Sequence, residues 1–209
     1  MLILVAAAVG VLSALVFGGS ARRLAFLPVR ALWLPPTALI LQIVIIEIVP
    51  DGTPALLSVI HVATYVMAGA FIWLNRSVPG LLPVALGAVS NGVTIALNHG
   101  TLPARAGALT AAGLPIDPQG FSNSAVRPHA VLPWLGDVFA WPMPLPLANV
   151  FSVGDVLVVG GLTYGAHLIC RSRLAPLLNR SSGRTRAVGP VAAGRQSGRR
   201  ARRKAMSEA

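Results

Sequence analysis

The chain has 209 residues and a net charge of +11, yet only 11% of its residues are charged and 55% are hydrophobic. Soluble domains carry roughly 25% charged residues, so the composition excludes an ordinary water-soluble domain and indicates an integral membrane protein. Of the 17 basic residues, 11 lie from Arg171 onward, so the high charge belongs to a tail and does not indicate a nucleic-acid-binding fold.

Five apolar runs follow one another along the chain. They span residues 2–19, 31–50, 55–74, 78–97 and 149–170. Each is close to the ~20 residues that a helix needs to cross about 30 Å of hydrocarbon. The predicted fold class is therefore all-α, a polytopic transmembrane helix bundle of about five spans within residues 1–170. No Lys or Arg precedes the first run, which favours a retained helix over a cleaved secretory signal.

The placement of the arginines predicts the orientation of this bundle. Four of them lie in the loops after the first and third runs, and eleven basic residues follow the fifth run. In an alternating five-span topology these all fall on one side, whereas only Arg105 and Arg127 fall on the other. Basic loops stay in the cytoplasm. We therefore expect a multi-pass protein of the cell membrane with its N-terminus outside, its C-terminus inside and an extracytoplasmic loop at 98–148.

Residues 171–209 form the basic tail. They are rich in Arg, Ser, Gly and Ala and contain no aromatic residue, a composition typical of disorder. We expect the densest basic cluster to contact anionic lipid headgroups; it consists of Arg199, Arg200, Arg202, Arg203 and Lys204. Nucleic acid is the weaker alternative, because no aromatic side chains are interleaved for base stacking.

Charged and polar side chains inside the predicted spans gather near one depth, close to the outer surface. A charge at the centre of a membrane helix costs on the order of 2.5–3.5 kcal/mol, so such groups mark candidate sites. This outer polar layer consists of Glu47, His61, Asn91, Thr94, Asn98 and Asp155. Together with Asp137 of the outer loop it could bind a small polar ligand or ion. The alternatives are a structural hydrogen-bond cluster or side chains that reach out to the interface.

Small residues occur in the fifth apolar run. Gly161 and Gly165 form a GxxxG pair in the fifth run, which allows close helix packing. Packing within the bundle is the main interpretation, and a homo-oligomer through span five is the alternative.

No HExxH, CxxC or GxSxG motif is present, so the sequence predicts neither a metal site nor a cofactor.

Several short motifs carry a resemblance to a known family. They are Asn91-Gly92, Asn98-His99-Gly100-Thr101-Leu102-Pro103, Leu135-Gly136-Asp137 and Ser152-Val153-Gly154-Asp155, and Gln42 fits as well. Over most of residues 1–175 the chain resembles a family of small bacterial membrane proteins, the domain of unknown function numbered 5317. The resemblance implies a multi-pass membrane protein and implies no activity.

Three hypotheses for the function remain open. The first is binding of a small polar ligand or ion at the outer polar layer. The second is a membrane enzyme that uses Asp155, Asp137, His61 or His129 for acid–base chemistry on a lipid-linked or extracytoplasmic substrate. The third is a structural or accessory protein that acts through helix packing and its basic tail. The inner halves of the spans carry few polar groups, which disfavours a complete transport path.

Overall fold

The structure is a computed structural model that describes residues 1–116 and 122–182. The helices in this part of the chain are α1 (Leu2–Val16), α2 (Ala21–Ala25), α3 (Leu34–Ile43), α4 (Pro54–Leu74), α5 (Leu81–Leu97), α6 (Ala106–Ala112), α7 (Val153–Cys170) and α8 (Ala175–Ser182). A π-helical turn, Val44–Ile48, continues α3, and Pro133–Leu135 form a 3-10 turn. The strands are β1 (Leu102–Pro103), β2 (Ser124–Ala125), β3 (Asp137–Trp141) and β4 (Asn149–Ser152).

Prolines and one glycine mark where the long helices begin. Pro35 and Pro36 lie in the first turn of α3, and α4 begins at Pro54. These are positions where a missing N–H costs least, because the first amides of a helix have no partner within it. Helix α5 starts after Gly80, whose φ of +85° lies in the left-handed region that favours glycine.

Helices α5 and α7 form the centre of the bundle and pack against each other through small residues. A Cβ at Gly87 would collide with the carbonyl oxygen of Gly154, and one at Gly165 would collide with the carbonyl oxygen of Pro79. Helix α1 packs on the opposite side of α7, where Ala14 is fully buried. Helix α4 packs on α5, and α3 packs on α4. The spatial order is therefore α1, α7, α5, α4, α3.

The segment between α5 and α7 carries the two small sheets, and we call the end of the bundle that it covers the loop end. Strand β1 pairs in parallel with β2, and β3 pairs antiparallel with β4, with Asp137 opposite Ser152. Helix α6 packs on the second sheet through a small apolar core that includes Leu109 and Val150. The all-α prediction is therefore wrong in this segment. Its backbone lies outside the helices and must find other hydrogen-bond partners, and the strands supply them.

Two of the described helices are long and apolar enough to cross a membrane by length and composition. They are α4, with 21 residues, and α7, with 18 residues. The other apolar helices in the described ranges, α1, α3 with its π turn, and α5, fall between 10 and 17 residues. The fifth predicted span is shorter than expected, because residues 149–152 form strand β4 and the helix begins only at Val153.

The described part of the predicted tail, residues 171–182, contains a further helix, whereas the sequence led us to expect disorder from residue 171. Arg171, with a φ of +52°, ends α7, and α8 follows at Ala175–Ser182. An apolar Pro-Leu-Leu segment within α8 is compatible with a helix, whereas the Arg, Ser and Gly content that indicated disorder lies mostly beyond it. The basic cluster Arg199, Arg200, Arg202, Arg203 and Lys204 lies outside the described residues.

Candidate functional site

Helix α7 begins with a capping box at the loop end. The Ser152 hydroxyl oxygen accepts a hydrogen bond from the Asp155 backbone N–H at 3.0 Å. The Asp155 carboxylate accepts one from the Ser152 backbone N–H at 2.9 Å. This reciprocal pair satisfies amide groups that a helix start otherwise leaves without partners. Asp155 therefore has a structural role before any functional one.

Asn91 on α5 joins this cap, and we call Asn91, Ser152 and Asp155 the cap cluster. The Asn91 amide donates to Oδ1 of Asp155 at 3.0 Å. The Ser152 hydroxyl lies 3.0 Å from both Oδ1 of Asn91 and Oδ2 of Asp155. Gly154 makes this approach feasible, because a Cβ there would collide with the Asn91 amide. The cap cluster thus connects α5 to the first turn of α7.

Asp137 lies beside the cap cluster on the sheet that leads into α7. It is 2% exposed, faces Ser152 in the β3–β4 register, and accepts a hydrogen bond from the Ser124 hydroxyl. The pKa of Asp137 is raised to about 7, chiefly by burial and in part by the nearby Asp155 carboxylate, while the Ser124 hydrogen bond opposes the shift. Asp137 can therefore gain or lose a proton near neutral pH.

His61 and its neighbours on α4 form a second polar group. The buried His61 ring donates from Nδ1 to the Gly100 carbonyl oxygen at 2.6 Å and contacts the Tyr65 ring at 5.7 Å between centroids. Thr64 donates to the His61 carbonyl oxygen at 2.6 Å and accepts from the Gln42 amide at 2.8 Å. These bonds tie the loop end to α4, and α4 to α3.

Two asparagines hold loops to helix ends with the same geometry. At the end of α5, the Asn98 amide donates to the Val131 carbonyl oxygen at 2.8 Å and accepts from the Val131 N–H at 2.9 Å, while it also donates to the Thr94 carbonyl oxygen at 2.7 Å. At the end of α4, Asn75 makes the corresponding pair with the Arg30 backbone at 2.9 and 2.8 Å. Asn98 therefore attaches the outer loop to the end of α5.

Glycines in the short motifs that carry the family resemblance allow segments at the loop end to pack closely. Gly100, with a φ of +88°, lies against Ser58, where a Cβ would meet the Ser58 Cβ at 2.5 Å. Gly136 lies against Pro103, and a Cβ there would collide with the Pro103 carbonyl oxygen. The motifs containing Gly100, Pro103 and Gly136 thus meet at one packed junction above the cap cluster.

A cavity of about 340 Å³ lies between α3, α4, α5 and α7, and we call it the central cavity. Its polar lining consists of Gln42, Thr64, Tyr65, Asn91 and Asp155. The remaining lining residues are apolar and come from all four helices, with Ala38, Ala68, Ala88 and Leu162 among them. A mostly apolar pocket with a few convergent polar groups is the usual form of a small-molecule site.

A larger surface cleft of about 710 Å³ lies between the α3–α4 turn and the outer loop. Asp51, His99 and Arg127 contribute to its walls, and the Arg127 guanidinium donates to the Thr101 hydroxyl at 2.9 Å. None of the residues of the outer polar layer lines this cleft. Within the described ranges, no group of three or more His, Cys, Asp or Glu side chains is arranged to hold a metal ion.

The structure separates some predicted residues from the site. Glu47 is exposed in the π turn and lines none of the cavities described above, and His129 is exposed on the outer loop. Gly161 and Gly165 pack within the chain, against Gly80 and Pro79. Of the predicted ligand-binding residues, Asn91 and Asp155 line the central cavity, whereas His61, Asn98 and Asp137 lie around it in structural contacts.

Sequence reasoning missed Tyr65, Thr64 and Ser152 as members of the site. Tyr65 and Thr64 follow His61 by four and three residues, so a helix places all three on one face. The Ser152-x-x-Asp155 spacing before an apolar run is the sequence pattern of a capping box. Both signals are present in the chain.

The opposite end of the bundle holds a separate buried polar chain. Ser13 donates to the Gly10 carbonyl oxygen at 2.6 Å, so its oxygen is left to accept from Nε2 of His167 at 3.0 Å. Nδ1 of His167 then accepts from the Ser172 hydroxyl at 2.6 Å. In a neutral ring these bonds select one tautomer and connect α1 to the end of α7.

Comparisons with known proteins identify a family through one family model and give no activity. The chain is similar over 92 residues to an uncharacterized protein of Thermotoga maritima, with 36% identity, covering 44% of this chain and 52% of that protein. It therefore spans about half the length of that curated relative. No solved structure matches the chain. A model of the family of unknown function DUF5317 matches residues 27–165, which is well over half of the chain, and the protein belongs to this family.

Proposed function

We propose that this protein is a multi-pass membrane protein of five spans that binds an amphiphilic small molecule in the central cavity, with the polar group of the ligand at the cap cluster. The observation that carries the proposal is the lining of the cavity, which is apolar along four helices and polar where Asn91 and Asp155 meet. This lining refines the hypothesis of a purely polar ligand or ion, because most of the cavity wall offers no polar partner.

The exposed surface supports five spans. Each long helix exposes large apolar side chains, for example Val9 on α1, Ile40 on α3, Val66 on α4, Leu86 on α5 and Val156 on α7, all more than 50% exposed. Apolar side chains exposed on every side of a bundle are unfavourable in water and favourable in contact with lipid. We infer that α1, α3 and α5 also span the bilayer. Local thinning of the bilayer or interfacial anchoring residues would compensate for the mismatch between their short lengths and the bilayer thickness.

Aromatic and basic residues support the orientation. Trp33 and Trp73 are 64% and 68% exposed at the end opposite the loop end, and the Arg76 guanidinium lies 5.0 Å from the Trp73 ring centroid. Tryptophan prefers the membrane interface, and arginine prefers the cytoplasmic side. The loop end is then extracytoplasmic, with the N-terminus outside and the tail inside.

Single-cysteine labelling tests this topology. In a background where Cys170, the single cysteine of the chain, is replaced by Ala, His129→Cys should react with a membrane-impermeant maleimide in intact cells. Arg76→Cys should react only after the membrane is opened. Equal labelling of both positions in intact cells would contradict the proposed orientation.

The chemistry of the polar end selects the ligand class. Oδ2 of Asp155 accepts from the Ser152 backbone N–H and lies within hydrogen-bond distance of the Ser152 hydroxyl, whereas Oδ1 accepts from Asn91 and has a second lone pair for another donor. A hydroxyl or amine of the ligand can supply that donor. An anionic group would be repelled by the carboxylate. The ligand we propose is therefore an apolar chain or ring system that ends in an alcohol or amine.

The acid–base hypothesis has less support from the geometry. Asp137 has a pKa raised to about 7 by burial, but it is enclosed by Ser124 and the β3–β4 pair and does not line the central cavity. A general acid or base must come within hydrogen-bond reach of its substrate. For this reason we place ligand binding before catalysis.

Native mass spectrometry of gently extracted protein tests the binding proposal. Ala68 lines the central cavity, whereas Ala70, on the same helix, is exposed and lines none of the cavities. The wild type and the matched control Ala70→Phe should carry the same bound small molecule. Ala68→Phe, which fills the cavity, should not carry it. Equal retention in all three proteins, or a wild type that stays bare after incubation with the total lipid extract of its host, would overturn the proposal.

A further inference from the structure

A second hollow lies next to the central cavity on the outside of the bundle. It has a volume of about 310 Å³ and lies between α4 and α5, and we call it the lateral groove. Its lining is apolar except for Tyr65. The residues of α4 and α5 that border it include Val66 and Val89, which are 67% and 60% exposed. In the five-span arrangement this groove faces the acyl chains of the bilayer.

The lateral groove and the central cavity share part of their walls. Tyr65, Ile72 and Ala88 line both. These three side chains are therefore the partition between the inside of the bundle and the lipid. Tyr65 is the largest of them and stands nearest to the polar end, since its neighbour Thr64 and the opposing Asn91 also line the cavity.

Small residues keep the groove side of this partition open. Gly69 has open space where a Cβ would be, and Gly92 lies directly under the Tyr65 ring, where a Cβ would approach the ring carbon Cδ1 at 3.0 Å. Both glycines line the groove, together with Ala85 and Ala96. Glycine and alanine thus form part of the groove wall beside the Tyr65 ring, and a rotation of that side chain toward them needs no movement of the helices.

We propose that the ligand enters the central cavity sideways from the bilayer, between α4 and α5, with the Tyr65 ring as the gate. This inference rests on the proposed function and specifies it further. The ligand class becomes a single-chain alcohol or amine that is dissolved in the membrane. Its apolar chain lies in the lateral groove during entry, and its polar group reaches Asp155 and Asn91 after passing Tyr65.

The test uses a diazirine analogue of hexadecanol in phosphatidylcholine vesicles that contain the full-length protein. After brief illumination at a series of times, mass spectrometry at single-residue resolution locates the label. Only label on Ala38 of α3 and on Asp155 and Leu162 of α7, which line the cavity but not the groove, is counted as labelling of the α7 and α3 peptides, because the outer faces of both helices are exposed to lipid in the five-span arrangement. Gly69→Phe fills the groove without a backbone clash. Gly160→Phe is the matched control, because Gly160 is also a helical glycine with open space around it and lines neither hollow.

The expected result is that Gly69→Phe slows labelling of the α7 and α3 peptides at least tenfold, while Gly160→Phe labels at the wild-type rate. Unchanged labelling in Gly69→Phe, together with loss of labelling in Ala68→Phe, would overturn lateral entry and leave the cavity as a binding site. Labelling of α7 and α3 that is unaffected by both Gly69→Phe and Ala68→Phe would overturn the cavity proposal as well. Reduced labelling in Gly160→Phe equal to that in Gly69→Phe would also count against lateral entry, because it would show that the effect does not depend on the groove.

Discussion

The Asn98 clamp offers the sharpest test of how the outer loop is held. Asn98→Ala removes three hydrogen bonds, two to the Val131 backbone and one to the Thr94 carbonyl oxygen, with donor–acceptor distances of 2.7 to 2.9 Å. A typical intramolecular hydrogen bond contributes about 1 kcal/mol net. Val131 is 44% exposed, so water can replace part of its bonding, and we expect the loop to lose ~2–3 kcal/mol of attachment.

Amide hydrogen exchange measures this loss where it occurs. Because each 1.4 kcal/mol is a factor of ten, exchange of the Val131 amide in Asn98→Ala should be about 30–100 times faster than in the wild type. Asn75→Ala is the matched control. It removes the same clamp at the opposite end of the bundle and should leave Val131 protected. If Val131 exchanges at the wild-type rate in Asn98→Ala, the loop is held by its sheets and not by this side chain.

The remaining predictions concern packing, protonation and the opposite end of the bundle. Gly87→Leu places side-chain atoms against the Gly154 carbonyl oxygen. Overpacking of this kind costs ~3 kcal/mol or more, so the melting temperature should fall by about 10 °C or more. Gly160→Leu should change the melting temperature little, and equal melting temperatures of the two variants would contradict the close α5–α7 contact. Because the pKa of Asp137 is about 7 in the fold and near 4 in an unfolded chain, the folded state holds the proton more tightly, so the contribution of Asp137 to stability should be fully present below pH ~4 and be lost as pH rises to about 7. Asp137→Asn should flatten this slope in melting curves followed by tryptophan fluorescence, and an unchanged slope would assign it to other groups. His167→Phe, which removes both serine contacts, should increase hydrogen exchange at the end of α7 without affecting the Val131 amide.

The long apolar helices could be predicted from the sequence because their signals are local, whereas α2, α6 and α8 were not predicted. Apolar runs of the right length, with Pro35 and Pro54 near their starts, define α3 and α4 to within a few residues. The strands could not be predicted in the same way. Asn149–Ser152 continue an apolar run and look like the start of a span, and they become a strand because Asp137–Trp141 lie alongside. That pairing depends on a contact between separate segments, which hydrophobic periodicity does not report.

The candidate site could likewise be predicted only in part. Asn91 and Asp155 were predicted to share a depth, and the structure brings them together at 3.0 Å. Glu47 had the same apparent depth but lies apart, because the π turn Val44–Ile48 adds a residue to the helical turn and changes the face on which Glu47 falls. Depth along a helix can be counted in a sequence. The direction of a side chain after such a turn cannot.

The capping role of Asp155 and its proposed role toward a ligand depend on different oxygens of one carboxylate. Oδ2 accepts from Ser152 and completes the helix cap, while Oδ1 accepts from Asn91, and Asp155 lines the central cavity. A cap of this kind holds the carboxylate in one orientation. The side chain therefore loses its conformational entropy when the protein folds and not when a ligand binds. The same arrangement explains why Asp155→Asn is a poor single test of function, since it disturbs the helix start and the ligand contact together. Variants of Ala68 and Gly69 separate the two, because they change the space that a ligand needs and leave every hydrogen bond of the cap cluster in place.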